Sequence, residues 1–286
     1  MLSAAALAGA GIFAPDRAQA SQPLNLSRDR DRLRALIKMR GNLGPEMVIG
    51  WLRAERFAYS QGRVEPLCGL VAASFMKYRE VSDLLFEVTI LEITHYTDFQ
   101  TGALLDTLVM PFSKREVEVP AYRSGPSRSR FAVLLDERED YAPTARTTEK
   151  AFAPAGTVLM TKSIDPGYVS RGQLFLRHEE HGRVLPHDSE LPSLFYKEST
   201  IWSAPVDEVL NPETTNVDST VAYSSMTSWR PWMQMGDIPG HTASNGFGRK
   251  ARSLADLPED FLRYTRARHP DVLEDPEAIL NALPAA

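Results

Sequence analysis

Residues 83–97 (DLLFEVTILEITHYT) constrain the fold more than any other stretch of the chain. Their β-branched and aromatic content marks a strand. Successive strand side chains point to opposite faces. Phe86, Val88, Ile90, Glu92, Thr94 and Tyr96 therefore share one face, and Glu87, Thr89, Leu91, Ile93 and His95 the other. Both faces mix apolar and polar residues. Such a strand suits a position between a packed outer layer and a partly polar interior.

Comparable segments surround it. Residues 47–53 and 55–60 read as a hairpin, followed by 65–77 and, after 83–97, by 103–112. The last two are joined by a tight turn, Asp98 to Gly102, in which Gly102 supplies the positive φ. Residues 120–156 read as a long excursion with one strand, Phe131–Leu135, and strand signals resume at 157–163, 172–178, 183–186, 193–202 and 219–224. Helices are expected only at the ends. One covers Ser27–Met39, capped by Ser27 and stopped at Gly41. Another is opened by Pro258, and a short last one by Asp275-Pro276. The expected architecture is mainly β, a lipocalin-like antiparallel barrel or strongly curved sheet with peripheral N- and C-terminal helices. With no repeat and no clear linker, residues 21–286 read as one domain.

The formal charge of −5 and the lack of a Lys/Arg cluster argue against nucleic-acid binding. A single cysteine, Cys68, excludes an intramolecular disulfide and any CxxC site. The apolar run 2–13 is too short to span a bilayer, so no transmembrane segment is expected. It is followed by Ala18-Gln19-Ala20, the small-x-small pattern of a signal-peptidase site. Residues 1–20 are thus expected to be the remnant of an export signal. Its basic portion, of the twin-arginine type, would lie upstream of Met1, and the mature protein would be periplasmic.

Chemistry is expected near Tyr223–Met235, which holds two of the four tryptophans and three of the nine methionines. Trp229, Trp232, Met233 and Met235 cannot share one helical stripe, and Pro231 breaks any regular element there. They either plug one end of a β-rich core or wall a pocket for a flat apolar ligand. Arg230 could present its guanidinium to an anionic ligand. His241, after Pro239-Gly240, is placed in a loop facing the same cavity. Glu92 shares a face with Tyr96, and a carboxylate there would be shifted upward by burial unless Arg40 or Arg230 pairs with it. His178-Glu179-Glu180-His181 is not HExxH and reads as a hairpin turn, so no metal is expected. GxSxG, GxGxxG and the Walker A loop are absent, and no cofactor is called for.

Several of these blocks resemble one family. LRALIKMRGN (33–42), HYTDFQTGALLD (95–106), MPF (110–112) and SSMTSWRPWMQMGDIPG (224–240), with Gly248-Arg249-Lys250, are similar to a bacterial family of unknown function, DUF1838, often carrying twin-arginine signals. The likeness runs over nearly the whole mature chain. The family's Asp-Pro-x-Thr-Gly turn is Asp98-Phe99-Gln100-Thr101-Gly102 here, and its Asn-Pro is Met110-Pro111. The resemblance implies an exported β-rich domain and no particular reaction.

The sequence therefore points to a cofactor-independent enzyme, a lyase, isomerase or hydrolase working by acid/base catalysis on a small aromatic or apolar molecule. Tyr96, Glu92 and His241 would be catalytic, and Trp229, Arg230, Trp232, Met233, Met235 and Arg40 would bind ligand. The competing reading is a non-catalytic periplasmic ligand-binding protein. The oligomeric state is left open.

Overall fold

A computed structural model describes residues 22–141 and 153–283. Residues 1–20, expected to be the export segment, lie outside the described residues. Thirteen strands and five α-helices follow in order. After α1 (Asp29–Arg40) come β1 (Val48–Ser60), β2 (Arg63–Ser82), β3 (Leu85–Thr97), β4 (Thr107–Val109) and β5 (Glu116–Glu118). Next are β6 (Tyr122–Phe131), β7 (Leu134–Tyr141), β8 (Gly156–Ile164), β9 (Tyr168–Ser170), β10 (Gln173–Pro186) and β11 (Leu194–Pro205). The chain ends with α2 (Val206–Leu210), β12 (Thr220–Ser228), β13 (His241–Ala251), α3 (Glu259–Arg268), α4 (Pro270–Glu274) and α5 (Pro276–Asn281).

Eleven strands form one antiparallel sheet in the order β6-β3-β2-β1-β13-β12-β11-β10-β8-β7, with β9 added on β10, while β4 and β5 pair separately. The sheet curls into a nearly closed barrel, as the strand spacing implies. Its two end strands are consecutive in sequence, and the seam is held by side chains. Lys162 on β8 donates to Ser129 Oγ at 2.6 Å and to the Arg130 carbonyl at 3.0 Å, and it faces Glu137 at 3.0 Å.

The alternation in 83–97 resolves as the pattern requires. Leu91 and Ile93 pack outward under α3–α5, among Val71, Phe75, Phe261 and Tyr264. His95 is buried with them, its Nε2 2.8 Å from Thr265 Oγ1. Phe86 and Val88 face inward, where α1 meets them together with Phe131, Leu176 and Trp202. The N-terminal helix thus sits across one end of the barrel and is more deeply packed than the peripheral helices at the C-terminus. Leu33, Leu36, Ile37 and Met39 are fully buried there, each contributing about 1.5–3 kcal/mol through burial. Two lysines fix it in place. Lys38 Nζ donates to the carbonyls of Val209 and Asn211 at 2.9 and 2.6 Å. Lys250 Nζ donates to those of Lys38 and Gly41 at 2.9 and 2.6 Å and to Asn216 Oδ1.

Several local expectations are corrected. Residues 48–60 form one continuous strand, because the hairpin turn falls at Gln61-Gly62, both with positive φ. Residues 173–186 are likewise one strand, so His178–His181 lies in β10 and not in a turn. In the described part of the excursion 120–156, β6 ends at Phe131 and β7 begins at Leu134, so the single strand expected at Phe131–Leu135 is replaced by the turn between two strands. Ser27 does not cap α1. Its hydroxyl bonds to Asn25 Oδ1, and the helix begins after Arg28 without a side-chain cap. The turn after β3 is as expected, with Asp98 Oδ1 accepting from the backbone of Gln100 and Thr101 and Gly102 at φ +70°.

Candidate functional site

A cavity of about 290 Å³ lies inside the barrel, lined by β1, β2, β3, β6, β11 and β12, the end of α1 and Arg230. Its wall is made of inward-facing alternate positions. On β3 these are Glu92, Thr94 and Tyr96; on β11 they are Tyr196, Glu198, Thr200 and Trp202; on β12 they are Val221, Tyr223, Ser225 and Thr227. The charged lining consists of three guanidinium groups, Arg40, Arg56 and Arg230, and two carboxyls, Glu92 and Glu198. A cavity of this polarity in a β-barrel binds small polar or anionic molecules more readily than an apolar one would.

The charges are unevenly distributed. Toward α1, Arg40 donates from Nε to Tyr78 Oη at 3.2 Å and lies over the Phe131 ring, 4.9 Å from its centroid. Its field acts on Glu198, Glu92 and Glu180. Tyr196 donates to Glu198 Oε2 at 2.5 Å. Burial, followed by the nearby Glu180, pushes the Glu198 carboxyl up to about 7, against the lowering effects of Tyr196 and Arg40. Burial also raises Glu92, whose Oε1 accepts from Thr94 Oγ1 at 3.4 Å. Removing a carboxylate from water without full compensation favours its neutral form. This site therefore holds a carboxyl that changes charge near neutral pH, beside a phenol.

Toward the opposite end stand Arg56 and Arg230. Arg56 Nε donates to Ser244 Oγ at 2.9 Å, and the guanidinium lies 5.7 Å from the Tyr96 ring centroid. Arg230 is lowered by burial and then by the positive charge of Arg56, with the phenols of Tyr122, Tyr96 and Tyr196 acting the other way. Cys68 is also here, fully buried, its thiol pushed up to about 11 by burial. It is a packed residue and not an activated nucleophile.

The sequence-selected residues divide into three groups. Glu92, Tyr96, Arg40 and Arg230 all line the cavity. Trp232, Met233 and Met235 are buried below it in an apolar cluster with Met110, Val117 and Val119, and Trp229 packs on that cluster with its indole N–H donated to the Ile238 carbonyl at 2.9 Å. Of residues 229–235, Arg230 alone reaches the lining, while Trp232 supports Tyr96 from behind at a ring separation of 5.5 Å. His241 is not in a loop. It is the first residue of β13 and stacks on Tyr59 at 5.1 Å, away from the cavity. Sequence reasoning missed Glu198, Tyr196, Tyr223 and Arg56. For Tyr196 and Glu198 the signal was present in the alternation of 193–202, where Tyr196, Glu198, Thr200 and Trp202 occupy one face.

Within the HEEH run, strand alternation turns His178 inward and His181 outward. Glu180 Oε1 lies 3.8 Å from His178 Nε2, and Glu179 Oε2 lies 3.4 Å from His181 Nε2. The four residues cannot converge on one ion, and no group of three or more His, Cys, Asp or Glu among the described residues could hold a metal. No helix among the described residues is long and apolar enough to cross a membrane.

Fold and site together define a barrel-shaped β-protein with a charged, tyrosine-rich internal cavity. The chain belongs to the family described as protein of unknown function (DUF1838), whose model matches residues 58–283. No curated protein matches it. Among solved structures, the crystal structure of Neisserial surface protein A (NspA) is similar at 8% identity with a TM-score of 0.29, over 73% of this chain and 99% of that one.

Proposed function

We propose that the barrel is a cofactor-independent enzyme that moves a proton on a small ring-bearing molecule, as an isomerase or lyase. The observation that carries this reading is Glu198, a cavity-lining carboxyl held near neutrality and hydrogen-bonded to Tyr196. A general base works best with a pKa near the working pH. Glu198 in its charged form would take a proton from a carbon beside a carbonyl. The electron pair left behind passes to the carbonyl oxygen, and the hydroxyls of Tyr96, Tyr122 and Tyr223 would hold the resulting enolate. The protonated Glu198 then returns the proton to another carbon, or the enolate expels a β-leaving group. Trp202 and the tyrosines supply flat surface for the ring.

Deuterium uptake tests this. Small aromatic carbonyl compounds incubated with the protein in D2O and examined by mass spectrometry should gain deuterium at the acidic carbon, and Glu198→Gln should slow the gain by about 100-fold or more. Compounds that bind without exchange would instead support a non-catalytic ligand-binding protein, a reading favoured by the arginine-rich end of the cavity. We also propose that the protein is exported to the periplasm, on the strength of the 2–13 apolar run and the Ala18-Gln19-Ala20 site.

A further inference from the structure

The two ends of the cavity are chemically different. Strand register shows how they are joined. Glu198 pairs with Ser225, Ser225 with Ser244, and Ser244 with Arg56, so the carboxyl and the guanidinium lie in one hydrogen-bonded row of the sheet, three strands apart. At about 4.8 Å per strand this is roughly 14 Å of wall. The residues between them are two serines. The adjacent row runs from Tyr96 through Leu70, Ala54 and Gly246 to Tyr223. The serines of the first row, with Ala54 and Gly246 in this one, leave space open between the charged groups.

The groups at the Arg56 end are of one kind. Arg56 makes no ion pair with a carboxylate among the described residues. It shares the cavity with Arg230; burial weighs most on both, the phenols of Tyr96 and Tyr223 and the Cys68 thiol act on Arg56, and Arg56 acts on Arg230 along with the phenols of Tyr122, Tyr96 and Tyr196. Two guanidinium groups brought together away from water repel each other, and the arrangement is relieved by a bound anion. Arg forks match a carboxylate in two parallel hydrogen bonds. The carboxyls Glu92 and Glu198 are gathered instead near Arg40.

The geometry points to a monocyclic aryl or unsaturated carboxylic acid as the ligand, its carboxylate on Arg56 and Arg230 and its reacting carbon beside Glu198. This assignment rests on the enzyme reading of the same cavity and adds the head group and the orientation. The polar end excludes a purely apolar molecule. A volume of about 290 Å³, at the lower limit of the roughly 300–1,000 Å³ typical of small-molecule pockets, suits a single ring with a short acidic arm.

Calorimetric titration of the full chain with benzoate, phenylacetate and cinnamate, each beside its primary amide, tests the assignment. The acids should bind at least ~10-fold more tightly than the amides. Arg56→Gln and Arg230→Gln should each erase that preference, and Arg56→Lys should keep part of it because the charge remains while the fork is lost. Thermal midpoints identify any variant that fails to fold, and Arg56→Lys carries the test in that case. Equal binding of acids and amides by the unaltered protein overturns the head-group assignment, as does an acid preference that survives all three substitutions. Deuterium exchange on neutral compounds alone would leave the enzyme reading standing while this one falls. Absence of both binding and exchange across the panel would remove the two together.

Discussion

Glu198→Gln is the substitution whose consequence can be worked through most fully. Glutamine keeps the shape and the carbonyl oxygen that accepts from Tyr196, but it cannot ionise. In the folded protein the Glu198 carboxyl sits at about 7, against an ordinary value of 4.5. A raised acid binds its proton more tightly in the folded state than in the unfolded one. The stability this gives is complete below about pH 4.5 and is lost as pH rises through 7. At about 1.4 kcal/mol per pKa unit, the loss amounts to roughly 3 kcal/mol. The variant escapes it. Relative to the unaltered protein, Glu198→Gln should therefore gain roughly 3 kcal/mol between about pH 4.5 and 8, whatever its offset at low pH. Other groups slope the curve too. His95, lowered to about 3 by burial, loses stability as pH falls through its unfolded value near 6.5. Lys250 and Lys38, lowered to about 7 and 8 by burial, give stability above 10.5 that is lost as pH falls toward their folded values. Both proteins carry these groups, so the difference between the two curves reports Glu198 together with the carboxyls whose charge it feels, Glu180 and Glu92. Urea denaturation of each across the pH range measures it. Parallel curves would show that Glu198 titrates normally, and the acid/base reading would lose its carrier.

Trp232→Ala empties a buried position in the apolar cluster under Tyr96, so chemical denaturation should show a loss of about 3–5 kcal/mol. If stability is retained while ligand affinity collapses, Trp232 belongs to the cavity wall and not to the plug. Lys250→Met strands the carbonyls of Lys38 and Gly41 that it holds, at roughly 1–3 kcal/mol for each buried acceptor; an unchanged thermal midpoint would mean that Lys250 does not anchor α1. His241→Ala removes the stack on Tyr59 and the ring contact with Phe195, both away from the cavity, and deuterium exchange should proceed at the unaltered rate. For export, a gene extended upstream to restore a basic leader should yield periplasmic protein beginning near Ser21 by N-terminal sequencing; full-length cytoplasmic protein would count against it.

The alternation rule explains both what the sequence discloses and what it conceals. A two-residue period assigns Glu92, Thr94 and Tyr96 to one face without saying which face encloses the cavity. Here the companions decided it: His95 shares its face with Leu91 and Ile93, so helices could cover that side, and the remaining face was the mixed one. The same argument applied to Tyr196, Glu198, Thr200 and Trp202 identifies the opposite wall, but only once β11 is known to lie across the barrel from β3. That pairing is non-local and has no signature in either segment. β13 was concealed for a different reason. HTASNGFGRKA looks like a loop because Gly246 and Gly248 are weak strand formers. At both positions a side chain would collide with a carbonyl oxygen of β1, of Arg53 at the first and Trp51 at the second. The glycines that make the strand illegible are the ones that let it pair closely with β1. The Trp/Met run misled in the other direction. Its density of large apolar side chains reads either as a plug at one end of a β-rich core or as a pocket wall, and the two readings differ only in what lies above them. The structure puts Tyr96 and Arg230 between that cluster and the cavity. A polar lining over an apolar base lets the base set the position of the guanidinium without itself facing the cavity, and so under the proposed function the segment's most consequential residue is the charged one in its midst.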